Sequence, residues 1–207
     1  MKVSKGDIFE RVFINEPEVN LHLIQEAGSR VKIHLINFSS ATNNITVEQT
    51  CEGCKTEIYA LAFLHGTDAV TTETHVKHAV GGGTSNQLIK FVLDDEAQGR
   101  FIGDLKIAPD AQQTEAHQTN RNLLLSDTAT MRTQPQLEIY ADDVKATHGA
   151  STGQLDESAL FYMQQRGIDK QKARQLLVGA FMKDVIESIQ DSAIRSQLLN
   201  SIDGVVE

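Results

Sequence analysis

The sequence has 207 residues and a formal net charge of −9; 40% of its residues are hydrophobic, only 5% are aromatic, and none is tryptophan. This length suits one domain with a small appendage, and small aliphatic side chains must fill its core. The acidic balance, without any Lys/Arg run, argues against nucleic acid and anionic membrane surfaces as partners. Two cysteines make no disulfide framework, no apolar run reaches 18 residues and no signal-peptide core begins the chain, so we expect a cytoplasmic protein.

Short apolar runs separated by turns follow one another along most of the chain. Residues 1–20 form a leading segment with no firm element, and from Leu21 apolar and polar residues alternate in brief runs. Strands this short leave no room for interleaved helices and bury a core only by stacking on equivalent neighbours. A β-helix and a two-layer sandwich both fit this alternation. His22 and His34 each lie between apolar residues, which predicts outward-facing surface histidines.

Two cysteines lie three residues apart, at Cys51 and Cys54. This spacing lets two thiolates share a metal ion or form a redox disulfide, but a structural zinc site needs four ligands and no second C-x-x-C follows. His65, His75 or His78 would have to complete such a site through the fold. The leading interpretation is a pair of incidental turn cysteines, with a metal site and a redox pair as alternatives.

Further short β-like runs lie between His117 and Gln154. Before them, the glycines of 81–83 are not followed by Lys-Ser/Thr, so they predict a tight corner between stacked strands rather than a phosphate-binding loop. A ladder of polar side chains that hydrogen-bond between neighbouring coils is expected along His117, Gln118, Asn120 and Asn122.

After Gly153 the period becomes helical. Asp156, Asp169 and Asp191 are expected N-caps of three helices. The third helix has Ile194, Leu198 and Ile202 four residues apart. One apolar stripe is predicted on the second helix, formed by Ala173, Leu176, Leu177, Ala180, Phe181 and Val185.

Ordered segments between Thr74 and Phe181 resemble a known family. They are His78–Asn86, Gln118–Ser126, Pro135–Lys145, Thr147–Gly149 and Gly153–Asp156, followed by Phe161-Tyr162 and Arg166–Ile168. In these segments the chain resembles the SufB/SufD family of iron–sulfur cluster assembly, and is closer to its SufD members. The resemblance implies a mainly β fold: a right-handed parallel β-helix over residues 21–153, then a small C-terminal α-helical subdomain over residues 154–207.

The resemblance also implies a function without catalysis. The chain would be a scaffold subunit of a SufBCD complex, pairing with a SufB-like subunit through the end of the β-helix. It would dock a SufC-like ATPase on the C-terminal helices. Residues proposed for ATPase docking are Leu160, Phe161, Leu176, Leu177 and Phe181.

The candidate site implied by the resemblance is centred on His148, which matches the family's histidine at the subunit interface, between Thr147 and Gly149. A neutral imidazole is a suitable ligand for iron. The family's usual cysteine two residues earlier is Ala146 here, so a thiolate would have to come from a partner. No firmly bound cofactor is expected; a transient iron–sulfur cluster or iron would meet His148 at the interface.

Other functions and assemblies also fit the sequence. Cys51 and Cys54 with nearby histidines would make a metal-binding protein. A β-helix carbohydrate-active enzyme is less favoured, because the chain has three tyrosines, no tryptophan and no clustered arginines. An open strand edge would also allow a homodimer. Family members carry a further N-terminal region, so the chain is expected to be a short form or a fragment.

Overall fold

A computed structural model of the chain describes the backbone of residues 1–205 and the side chains of residues 1–201. Over this range the chain forms twelve strands and then three helices. The strands are β1 Lys2–Val3, β2 Ile8–Ile14, β3 Glu18–Gln25, β4 Arg30–Asn37, β5 Ala41–Gln49, β6 Lys55–Leu64, β7 Ala69–His78, β8 Thr84–Leu93, β9 Gln98–Ile107, β10 Thr114–Leu124, β11 Thr130–Ile139 and β12 Val144–Gln154. The helices are α1 Glu157–Gln165, α2 Lys170–Glu187 and α3 Ser192–Val205.

The strands wind into a parallel β-solenoid. The odd-numbered strands form one six-stranded sheet (sheet A, β1-β3-β5-β7-β9-β11) and the even-numbered strands form the other (sheet B, β12-β10-β8-β6-β4-β2). Every neighbouring pair is parallel, as in β6 and β8, where Lys55 faces Thr84 and Leu64 faces Leu93. The predicted parallel β-helix is therefore confirmed, and an antiparallel sandwich is excluded.

The first coil lies partly within residues 1–20, for which the sequence predicted no firm element. β1 pairs with β3, and β2 pairs with β4 from Ile8 to Ile14. Because β2 is the last strand of its sheet, its side chains are only partly covered, and Ile8 is 67% exposed. Alternation is weak there because burial on the inner face is incomplete.

Side chains at alternate positions of the two sheets fill the interior between them. Tight corners join the sheets: Gly28, Gly53 and Gly82 all adopt positive φ, the region that glycine enters without strain. A Cβ at Gly81 would collide with the backbone of Gln112 on the next coil. The predicted glycine corner is confirmed. Buried interior residues include Leu23, Ile33, Ile45, Ile58, Val76, Ile89, Phe91, Phe101, Leu105 and Ala116.

The helices pack on the outer face of sheet B, where α2 contacts β6 and β8. Asp156 and Asp169 accept hydrogen bonds from the backbone N–H groups of Ser158 and Lys172, and so cap α1 and α2 as predicted. Asp191 accepts from the first turn of α3. Among residues 1–205, no helix combines the length and the apolar character that a membrane span requires. The second apolar cluster beneath the helices includes Ile36, Leu61, Phe63 and Val92 from the sheet with Val178, Met182, Val185, Ile186 and Leu198.

The stripe predicted on α2 is partly wrong. Ala173 and Val185 are buried, but Leu176 is 45% exposed and Ala180 is also exposed. The helix is rotated so that Val178, Met182 and Ile186 lie against sheet B instead. The predicted position Ile202 on α3 lies outside the residues whose side chains the structure describes.

His34 faces outward from sheet B as predicted, but it is completely buried rather than at the surface. The end of α2 covers it: its Nε2 lies 2.9 Å from the hydroxyl oxygen of Ser188, and its ring stacks on Tyr59 with centroids 5.1 Å apart. Lys32 donates to the Ser188 carbonyl at 2.6 Å. His22, in contrast, is exposed and lies 2.8 Å from Glu48.

A buried lysine fixes the middle of α2. The Lys90 side chain is only 4% exposed; its ammonium lies 2.6 Å from the carboxylate of Asp184 and donates to the carbonyl of Phe181 at 2.6 Å. The ammonium also lies 4.7 Å from the centroid of the Phe181 ring. The Asp184 side chain is about half-exposed, so the two partners differ sharply in their access to water.

Removing Asp184 should therefore destabilise the fold more than removing Lys90. Asp184→Ala leaves a buried ammonium without its counter-ion, whereas Lys90→Met leaves a carboxylate that water can solvate. We expect Asp184→Ala to lower the free energy of unfolding by about 2 kcal/mol, below the roughly 3–5 kcal/mol of a fully buried pair. Urea unfolding checks the order. Glu187→Ala, which breaks an exposed pair with Lys183, is the control and should cost less than about 0.5 kcal/mol.

The buried histidines predict a stability that falls in mild acid. Burial lowers the pKa of His78 to about 4, and burial with the neighbouring charge of Lys32 lowers the pKa of His34 to about 4. In the unfolded chain both titrate near 6.5, so between pH 6.5 and 4 only the unfolded state binds these protons. As the pH is lowered from 6.5 to 4, the free energy of unfolding should therefore decrease. Below pH 4 these two residues should cause no further decrease.

Urea unfolding at pH 7, 6, 5 and 4 measures this slope. The slope reports how many more protons the unfolded state binds than the folded state, and His34→Gln and His78→Gln should each lower that number by about one. His22→Gln, at an exposed position, is the control. Equal slopes for all three variants and the unmodified chain would contradict the assignment.

Candidate functional site

The last coil leaves one end of the solenoid open. β12 pairs with β10 along one edge, and within residues 1–205 its other edge has no strand beside it. The residues of β12 from Thr147 to Gln154 are exposed. Interior apolar residues at this end, such as Met131, Leu137 and Ala146, are only partly buried. A free strand edge beside incompletely covered apolar groups is the usual setting for pairing with another chain.

His148 lies at the mouth of this open end. It is paired in register with Gln118 of β10, which is 1% exposed and points into the solenoid. His148 therefore lies on the inner side of sheet B, yet it is exposed because no further coil covers it. A side chain in this position can meet both the interior of the solenoid and a second subunit placed against its end.

Thr147 and Gly149 flank His148 on the opposite, outer side of the sheet. The Thr147 hydroxyl oxygen lies 2.8 Å from Nδ1 of His117 on the preceding coil. A Cβ at Gly149 would meet nothing within 4 Å, so this glycine leaves open space on the edge strand. The three residues predicted from the Thr-His-Gly motif share one strand, but they face two directions.

The predicted polar ladder is partly confirmed. His117 contacts Thr147 between coils, and Asn122 donates to the Ser151 carbonyl at 3.2 Å. Asn120 and Asn122 also exchange hydrogen bonds within β10, at 3.0 and 2.8 Å. Gln118 is different: neither amide atom has a hydrogen-bond partner among the residues that the structure describes.

Cys51 and Cys54 lie in a corner of the solenoid. The buried Cys54 thiol donates to the carbonyls of Cys51 at 3.1 Å and Glu26 at 3.3 Å, and burial raises its pKa. Cys51 is half-buried. Within the described part of the chain, no group of three or more His, Cys, Asp and Glu residues is placed to hold a metal ion. Of the histidines considered as further ligands, His78 instead lies 2.8 Å from the hydroxyl oxygen of Ser85.

The residues predicted to dock an ATPase fall into two groups. Phe161 and Leu176 are 61% and 45% exposed. Leu160 is buried and Leu177 and Phe181 are half-buried, so these three stabilise the helical subdomain itself. Sequence reasoning missed Tyr162, which is 57% exposed and whose hydroxyl accepts a hydrogen bond from Arg166 at 2.8 Å. Its position beside Phe161 was the available signal.

Comparison with known proteins assigns the chain to one family. Residues 18–181 match the family described as the SufBD core domain of the SUF system for FeS cluster assembly. The chain is 33% identical over 183 residues to the iron–sulfur cluster assembly protein SufD of Escherichia coli, which covers 88% of this chain and 43% of that protein.

Two further relatives agree. A SufBD family protein of iron–sulfur cluster assembly from Synechocystis is 35% identical over 85% of this chain and 39% of its own length. The chloroplastic protein ABCI7 of Arabidopsis thaliana is 43% identical over 60% of this chain and 26% of its own length. The chain thus spans less than half the length of each of these relatives.

The two cysteines should react at different rates with a thiol reagent. Cys51 is partly exposed, whereas Cys54 is buried with a raised pKa, which disfavours the reactive thiolate. We expect iodoacetamide to modify Cys51 first in the native protein, and both residues at similar rates in urea. Mass spectrometry of timed digests checks this. Equal native rates would contradict the described corner.

Proposed function

Because the chain belongs to the SufBD core family of the SUF system for iron–sulfur cluster assembly, we propose that it acts as a SufD-type scaffold subunit. In this proposal it pairs with a SufB-like subunit through the open end of the solenoid and carries a SufC-like ATPase on its helices. In this proposal the chain catalyses no reaction and is located in the cytosol.

The observation that carries the pairing is the exposed edge strand β12 with His148 at its centre. A partner strand added there would satisfy the free backbone groups of β12 and cover half-buried residues such as Leu137. Open space at Gly149 and Gly153 lets a second backbone approach closely. A second copy of this chain could use the same edge, and this homodimer is the alternative assembly.

His148 would then face the interface as an iron ligand. The substrate in this proposal is a nascent cluster or iron, held transiently between subunits. A neutral imidazole supplies one nitrogen. Ala146 lies two residues before it, on the same side of the strand, and offers no thiolate, so sulfur ligands would come from the partner or from the cluster itself.

ATPase docking is proposed on the exposed apolar side chains of α1 and α2. Phe161 and Leu176, with Tyr162, are large apolar groups exposed on two helices that contact one another. Aromatic residues of this kind often anchor protein interfaces. The solenoid and the helices thus offer two separate binding surfaces. A substitution in one surface should weaken binding there and leave binding at the other unchanged.

Co-expression of the chain with SufB-like and SufC-like proteins from one genome tests this assignment. Gly149→Trp fills the open face of β12 and should reduce capture of the SufB-like subunit at least ~10-fold, about 1.4 kcal/mol, while the ATPase stays bound. The double variant Phe161→Ser and Leu176→Ser should show the reverse. Ile8→Ser, which alters an exposed residue at the far end of the solenoid, is the control and should keep both.

The role of His148 needs a second readout. His148→Ala should leave both partners bound but lower the yield of cluster transferred from the reconstituted complex to an apo-ferredoxin. His22→Ala, at an exposed position remote from this end, is the matched control. If the interface variants still captured both partners, the proposed assembly would be wrong. If His148→Ala gave full cluster transfer, the proposed role of His148 would be wrong.

A further inference from the structure

Two glutamine side chains inside the solenoid lack protein partners. Gln87 of β8 and Gln118 of β10 are neighbours in register and are 0% and 1% exposed. Both atoms of each amide, the oxygen and the nitrogen, have no hydrogen-bond partner among the residues that the structure describes. Buried amides in folded proteins are almost always hydrogen-bonded, because an unpaired one has lost its water without replacement.

A further unpaired polar side chain lies on the opposite sheet. A Cβ at Gly103 on sheet A would collide with the amide nitrogen of Gln118, so the glutamine reaches across the interior to the opposite sheet. Thr74 is the neighbour of Gly103 in register; it is completely buried, and its hydroxyl also lacks a partner within the described residues. Three unpaired polar side chains therefore surround one part of the interior.

Elsewhere in the solenoid the interior amides donate to protein atoms. The Gln25 amide nitrogen donates to the carbonyls of Ser29 at 3.0 Å and Lys55 at 3.1 Å. The Gln49 amide nitrogen donates to the hydroxyl of Thr56 at 2.8 Å and the carbonyl of Thr84 at 2.9 Å. The fold can thus pair at least the amide nitrogen of an inward glutamine with protein groups, whereas neither amide atom of Gln87 or Gln118 has such a partner among the described residues.

The unpaired amides also lie in one column of side chains, which occupies the same register position on successive coils. At the same register position, the earlier coils have Ile33 and Ile58, both completely buried. The column becomes polar at Gln87, continues through Gln118 and ends at His148 on the open end. Its inner end is closed by aliphatic side chains, and its outer end reaches solvent.

We propose that this part of the interior is a binding site for ordered water. Water molecules hydrogen-bonded to Gln87, Gln118 and Thr74 form a short file that runs to His148. Buried waters of this kind need two to four polar partners each, and two amides with one hydroxyl supply enough donors and acceptors. The file gives the His148 imidazole hydrogen-bonding partners from inside the solenoid. The inference does not rest on the proposed function, since the water belongs to the isolated chain.

Oxygen-17 magnetic relaxation dispersion on the full chain, without partners, counts long-lived internal waters. The unmodified chain should show such waters, and Gln118→Leu and Gln87→Leu should each lose at least one of them. Gln136→Leu, which alters an exposed glutamine of β11, is the matched control and should lose none. In nitrogen-15-labelled protein, the side-chain NH₂ groups of Gln87 and Gln118 should show cross-relaxation with water.

An interior without water overturns the proposal. That result would be a Gln118→Leu variant with the same number of long-lived waters as the unmodified chain, or side-chain amides without cross-relaxation to water. If Gln118→Leu fails to fold, the unbranched Gln118→Met replaces it. The cross-relaxation measurement on the unmodified chain needs no variant and decides in either case.

Discussion

Because strands of neighbouring coils pair in parallel and in register, each side chain lies beside its counterpart on the coil before and the coil after. This one constraint sorts residues into columns. Apolar columns become the interior, and the column through Gln87, Gln118 and His148 becomes a polar path within it. Within residues 1–205 the same pairing leaves a free strand edge at each end of the stack, which is why the candidate interface lies at an end and not on a face.

Helices cover the outer face of sheet B, so the polar side chains on this face need partners on the helices. Lys32 and His34 project from β4 and Lys90 projects from β8, and all three contact the backbone or side chains of α2 or the residue that follows it. They satisfy polar groups in the middle of α2 and just after its end, and they hold α2 at a defined position over the apolar cluster. The exposed residues of α1 and α2 are therefore presented from a fixed support.

Sequence reasoning reached the β-helix, the helix caps and, through the family resemblance, the position of His148 near the end of the β-helix. Alternation alone did not choose between β architectures; the ordered resemblance did. The failures share a cause. Alternation tells whether a residue such as His34 faces inward or outward, but not what covers an outward face, and so it missed the burial beneath α2. On α2 itself, Leu176 and Met182 are both apolar and lie on different sides, and only the contact with sheet B selects between them. Likewise, the sequence suggested a ladder at Gln118 but carried no information about the space left by Gly103.

The distance along the chain between Lys32 and Ser188 has a consequence for biosynthesis. Each coil can stack on the one before it as soon as about 22–30 further residues have been made, as the spacings Ile8 to Arg30 and Thr114 to Val144 indicate. Lys32 of β4 and Ser188 at the end of α2 are 156 residues apart in the sequence. The helices that cover sheet B are therefore synthesised last. During translation, Ile36, Leu61, Phe63 and Val92 face solvent on an already ordered sheet until α2 leaves the ribosome. That interval is when a nascent chain of this design is most exposed to aggregation and has most need of a chaperone.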